Sequence, residues 1–179
     1  MFNNLFTCLS LSKMNQRKKF SSKDKPNYNS AIVLGLNDAL VEISGALIGL
    51  SFALGETKLI GTVGIVTGFA AALSMTASEY LSAKEDNHKK PIKAATYTGI
   101  AYILAVLVLV TPYFILSNIY LSAGIMFFLV IVIIASYTKY DSLLHKENFK
   151  RKFTEMFSIT LVVAVISFLF GMFIKRLTG

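Results

Sequence analysis

Two stretches of this sequence put carboxylates where lipid excludes them. AIVLGLNDALVEISGALIGLSFAL holds Asp38 and Glu42 in an otherwise uncharged apolar run, and LIGTVGIVTGFAAALSMTASEYLSA holds Met75 and Glu79. An ionisable group at membrane depth costs roughly 2.5–3.5 kcal/mol on insertion scales, so it is retained where it pairs, binds an ion or lines a water path. Asp38 and Glu42 are four residues apart, about 6 Å along a helix axis, and project from one face. Met75 and Glu79 stand in the same relation on the second stretch. Counting about 1.5 Å per residue from the cytosolic helix ends expected below, Asp38 lies roughly 10 Å deep, Glu42 16 Å, Met75 12 Å and Glu79 6 Å. If the two helices are neighbours, as their short link suggests, Asp38 is bracketed by Met75 and Glu79.

Two or three carboxylates with a thioether suit a divalent transition metal. Carboxylates favour Mn²⁺ and Fe²⁺, and the softer sulfur tilts the preference away from Mg²⁺ and Ca²⁺. Asn37, Ser74 and Ser78 are further sources of oxygen. Burial raises an acid's proton affinity and a bound cation lowers it, so one site could exchange metal for protons.

Each residue also has an ordinary structural reading. Met75 could be packing, Glu79 could snorkel to water from near the interface, and Glu42 could be held by hydrogen bonds in a helix contact. Asp38 resists this best, because no span offers a basic partner. His88 and His145 sit among charged residues and read as solvated, while Glu155 reads as favourable charge at a helix N-terminus. Cys8 stands alone, so neither a disulfide framework nor a thiolate metal site is available.

The rest of the chain must hold these groups in place. Of 179 residues 54% are hydrophobic and only 16% charged, which is unlike a soluble domain. Five apolar runs, at about 31–54, 59–83, 94–116, 120–138 and 154–174, are long enough to span a bilayer. They lack the alternation of barrel strands, so an all-α membrane protein with five transmembrane helices is expected. The net charge of +8 follows topology: fifteen of the eighteen Lys and Arg residues fall in the N-terminal tail and the second and fourth links. Only Lys58, Lys175 and Arg176 lie on the other side, so the positive-inside rule places the N-terminus in the cytosol and the C-terminus outside.

Residues 1–29 form a basic tail expected to be disordered and drawn to anionic lipid, and residues 30–179 form one transporter domain. No cleavable signal is read, since the apolar patch Leu5–Leu11 precedes the basic cluster, and Met14 is an alternative start. Small residues at four-residue spacing (Ala31, Gly35, Ala39; Gly45, Gly49, Ala53; Gly64, Gly68) predict close helix contacts, within a protomer or between two. Thr111-Pro112 predicts a kink or stop late in the third helix. The fourth, GIMFFLVIVIIASY, reads as a lipid-facing wall.

The segments GLNDALVEISGAL and AALSMTASEYLSAK resemble the two-helix signature of the vacuolar iron transporter family. The resemblance implies five membrane helices, a cytosolic N-terminus, a dimer, and export of Fe²⁺, often Mn²⁺, in exchange for protons. The family's Asn/Ser-Asp-Gly-Leu motif falls on Asn37, Asp38, Ala39 and Leu40, which makes Asp38 its metal-binding aspartate. Its Ser-Met motif falls on Ser74 and Met75, and its Glu-Tyr-Leu on Glu79, Tyr80 and Leu81. There are departures. A proline of eukaryotic members is Ile43 here, beside Glu42, and an acid eight residues before the methionine is Thr67. Glu42 is a candidate replacement for that carboxylate. The ten-residue link between helices two and three is too short for the glutamate-rich cytosolic domain of large members.

The expectation is an inner-membrane, multi-pass, homodimeric exporter of Fe²⁺ or Mn²⁺, with Asp38, Glu42, Met75 and Glu79 as metal-site residues. The partners are divalent metal ions, protons and the bilayer, with no nucleic acid, no resident cofactor and no enzymatic activity. The alternatives are an assembly protein whose buried acids only stabilise helix contacts, or a carrier of organic cations.

Overall fold

The computed structural model describes residues 28–87, 90–145 and 148–178. Five helices account for nearly all of them: α1 Tyr28–Ala53, α2 Thr57–Glu85, α3 Pro91–Ile115, α4 Ile119–His145 and α5 Phe149–Thr178. Each is long and apolar enough to cross a membrane. The helical choice follows from the solvent: in hydrocarbon the backbone must satisfy its own hydrogen bonds, which a helix does within one segment. The chain is therefore an all-helical, multi-pass membrane protein. The basic tail with Met14, and His88 in the second link, lie outside the described residues.

The helix ends are set by local chemistry. Asp86 and Asn87 close α2 by donating their amides to the Ser82 and Lys84 carbonyls, with Asn87 in the left-handed region at φ 55°. Asparagine tolerates that conformation better than most residues. Pro91 opens α3, where a missing amide costs nothing. Pro112 lies inside α3 and the helix stops one turn later at Ile115, with the Leu116 amide donating to the Pro112 carbonyl at 3.0 Å.

α3 is the packing centre. Its most extensive contacts are with α2 and α1, and α1 in turn packs along α5. Tyr102, Leu109, Val110 and Tyr113 of α3 share one core with Leu40, Ile43 and Leu47 of α1 and Ile60 of α2. The expected small-residue contacts occur within the protomer. Gly35 lies against the Thr98 backbone so closely that any Cβ there would overlap the Thr98 carbonyl oxygen, and Gly171 of α5 lies equally close to the Gly49 carbonyl. Gly64 and Gly68 of α2 receive Leu47, Val110 and Val106. Much of α5, including Val162, Ile166, Phe170 and Phe173, faces outward.

Three expectations need correction. The links are shorter than the apolar runs imply: α4 extends through Asp141 to His145, and α5 begins at Phe149. A hydropathy run ends where lipid ends, whereas the helix continues into water. Glu155 consequently lies beyond the first turn of α5, which contains no acidic residue, so the N-terminal dipole, effective only over that turn, gives it little. Finally, α4 is not a featureless wall. Ser122, Met126, Val130, Ile134 and Thr138, each four residues from the next, are all buried.

Candidate functional site

The end of the bundle that gathers Lys84, Lys90, Lys93 and Lys150 provides a common baseline. There Ala31 of α1, Ala83 of α2 and Ala94 of α3 form one small buried cluster. Counting from it at about 1.5 Å per residue, Asp38 stands roughly 10 Å along α1, Met75 roughly 12 Å along α2 and Tyr102 roughly 12 Å along α3. Glu42 stands roughly 16 Å up and Glu79 roughly 6 Å. On this common baseline one aspartate, one thioether and one phenol occupy one level.

What lies between them differs from a simple α1–α2 pair. α1 and α2 touch through Leu47 and Gly64, but α3 is lodged against both on the basic side of that contact. It grips α1 through Thr98, whose hydroxyl donates to the Ala31 carbonyl at 3.0 Å and whose backbone abuts Gly35. It grips α2 through the next residue, Gly99, which receives the Thr76 hydroxyl. Thr76 adjoins Met75, so the methionine's height is fixed by a backbone contact one residue away.

The four predicted side chains are placed as follows. Asp38 is half-buried and close enough to Glu42 for their charges to interact. Glu42 is exposed within the protomer, and its Oε2 accepts a 2.7 Å hydrogen bond from the Tyr102 hydroxyl. Met75 is half-buried against the main core, while Glu79 is half-buried nearer the basic end. Among the described residues no three of His, Cys, Asp and Glu gather into a metal-holding set, so Asp38, Glu42 and Glu79 do not close into one within the protomer. Ser74 and Ser78 are exposed on α2. The Asn37 Oδ1 is buried and has no hydrogen-bond partner among the described residues, an arrangement that calls for a ligand or water. A crevice of about 380 Å³ between α1, α3 and α4 is lined by Ile32, Leu36, Leu104, Val108 and Ile133 among others, and that apolar wall offers a cation nothing.

Tyr102 is the residue that sequence reasoning missed. It is wholly buried, yet it directs its one polar atom at the mid-span glutamate. A signal was present: Thr98, Tyr102, Leu109 and Tyr113 repeat at helical spacing, which puts two tyrosines and a threonine on the buried face of α3. Tyr113 makes the equivalent bond nearer the far end, 2.8 Å from the Ser51 hydroxyl.

In a multi-pass helical protein, acids at mid-span with no Lys or Arg partner among the described residues point to an ion-handling site of the kind membrane transporters have. Residues 29–89, the segment comprising α1, α2 and the link that follows, match the VIT family, which supports the chain's membership of it. The resemblance drawn from GLNDALVEISGAL and AALSMTASEYLSAK is thus borne out, and with it membrane metal-ion transport as the general function. No curated protein matches the chain.

Proposed function

We propose that the protein exports Fe²⁺ or Mn²⁺ from the cytosol in exchange for protons, as a homodimer in the inner membrane with its N-terminus inside. The observation that carries this reading is the pair Asp38 and Glu42: two acids on one face at mid-span, with a tyrosine hydroxyl but no Lys or Arg partner among the described residues. An assembly device would neutralise such charges within the fold. A carrier keeps them available for a cation that comes and goes.

Exposure supports the homodimer. Glu42 and much of α2, including Ser74 and Ser78, are open in the single chain, and lipid is a poor neighbour for a carboxylate and two hydroxyls. A second copy laid on this face covers them and brings a second set of ligands to the same level. Asp38 and Met75 then serve as core ligands, Glu42 as the deeper carboxylate and Glu79 as the mouth. The fifteen-to-three bias of basic residues supports the orientation. Alternation between a cation and protons on the same acids supplies the coupling, since each disfavours the other.

Flux in proteoliposomes under an imposed pH gradient tests the proposal. Asp38→Asn should abolish Fe²⁺ and Mn²⁺ movement while the protein still elutes as the wild-type oligomer with unchanged thermal stability. Retained flux would reject Asp38 as a ligand. Equal inhibition of flux by organic amines and by competing metal would point to an organic-cation carrier.

A further inference from the structure

Glu42 offers a cation two oxygens, and the fold has engaged one of them. Oε2 accepts the Tyr102 hydroxyl at 2.7 Å, and whenever the carboxylate is ionised this bond is of the stronger, charge-assisted kind. Tyr102 cannot follow a moving carboxylate, because its side chain is 0% exposed and belongs to the main core with Leu40, Ile43 and Val106. Among the described residues its hydroxyl has no second partner, so releasing Glu42 would strand a buried donor. Glu42 is therefore held at one oxygen by a fixed point, and Oε1 is the atom with both lone pairs open to a cation.

We propose that Tyr102 is a positioning residue that makes Glu42 a one-oxygen ligand and thereby selects small transition-metal cations over Ca²⁺. This deepens the transport reading above and rests on it. The physical basis is coordination number. Ca²⁺ takes six to eight oxygens and gains from carboxylates that chelate through both atoms, whereas Mn²⁺ and Fe²⁺ are satisfied by fewer, singly bound ligands. A carboxylate pinned at Oε2 can serve the second kind without losing its bond. To chelate, it must share Oε2 between the hydroxyl and the cation, which weakens both contacts. Hydrogen bonds to ligating groups tune metal affinity by about 10–100-fold in other sites, so the effect is large enough to measure.

The test is Tyr102→Phe, which removes the hydroxyl and keeps the ring that fills the core. In proteoliposomes the KM for Mn²⁺ should rise about tenfold, at the low end of that range, with kcat within about twofold, and Ca²⁺ should become a several-fold stronger competitor. In a Glu42→Gln background the same substitution should change neither quantity, because the carboxylate it positions is gone. Glu42→Asp, too short to keep the bond, should reproduce the loss of Ca²⁺ discrimination. The inference is overturned if Tyr102→Phe keeps wild-type KM and Ca²⁺ competition, or if it costs the same in both backgrounds, which marks a packing role. Transport by Asp38→Asn is the separate control. If that variant still carries metal, the transporter site itself is misassigned. If it does not, and Tyr102→Phe is silent, only the selectivity role falls.

Discussion

Where α3 meets α1, backbone lies on backbone: Gly35 admits the Thr98 main chain, and the Thr98 hydroxyl reaches the Ala31 carbonyl. Where α4 meets α5, side chains do the joining. Phe149, Phe153 and Phe157 stack along α5 at centroid separations of 5.7 and 5.8 Å, Phe157 meets Phe127 of α4 at 6.4 Å, and Lys152 pairs with Asp141 at the hairpin end. The first kind of contact has one geometry. The second can yield, because long side chains have other rotamers within reach. The helix that carries Asp38 and Glu42 is thus fixed by the stiffer seam, and the outer pair is fastened by the softer one.

Three substitutions would break or sharpen that contrast. The largest effect is expected from Gly35→Val, whose side chain has no room beside the Thr98 carbonyl. Overpacking against backbone should cost about 3 kcal/mol or more, and the Thr98–Ala31 bond would be lost with it. Thermal unfolding in detergent would report the loss, and a wild-type melting temperature would show the seam to be pliable. At the hairpin, Lys152→Met removes an ion pair whose side chains are 25% and 13% exposed, and should cost about 1 kcal/mol with Mn²⁺ flux intact. A flux defect there would mean that α4 and α5 are not the passive pair this comparison makes them. The smallest effect belongs to Gly124→Ala in α4, where a Cβ meets nothing within 4 Å. It should be neutral or gain up to about 1 kcal/mol from helix propensity, so a destabilised variant would reveal a partner on that face.

Much of this was legible beforehand. Five apolar runs gave the five helices, because only a helix satisfies the backbone in lipid, and carboxylates at positions 38, 42 and 79 stood out against the same background. The position of α3 was not legible. The short turn between α1 and α2 ties their linked ends together but says nothing of the other ends, where Gly35, Thr98, Gly99 and Thr76 decide which helix comes between. Tyr102 was hidden for a related reason: one tyrosine in an apolar run is unremarkable until its hydroxyl is seen to end on Glu42. The helix ends were misread at Asp141 and Phe149 because charge marks the edge of the bilayer, not the edge of the helix.

Thr98 and Gly99 are consecutive, and they bind α3 to two different neighbours about 100° apart around its axis. A rod clasped on two sides at one height is not free to spin; turning it would loosen both clasps together. Sliding is opposed as well, since each clasp is a residue-sized notch. At this height α1, α2 and α3 are joined as one block, so displacing α3 by itself would break its contacts with both neighbours at once.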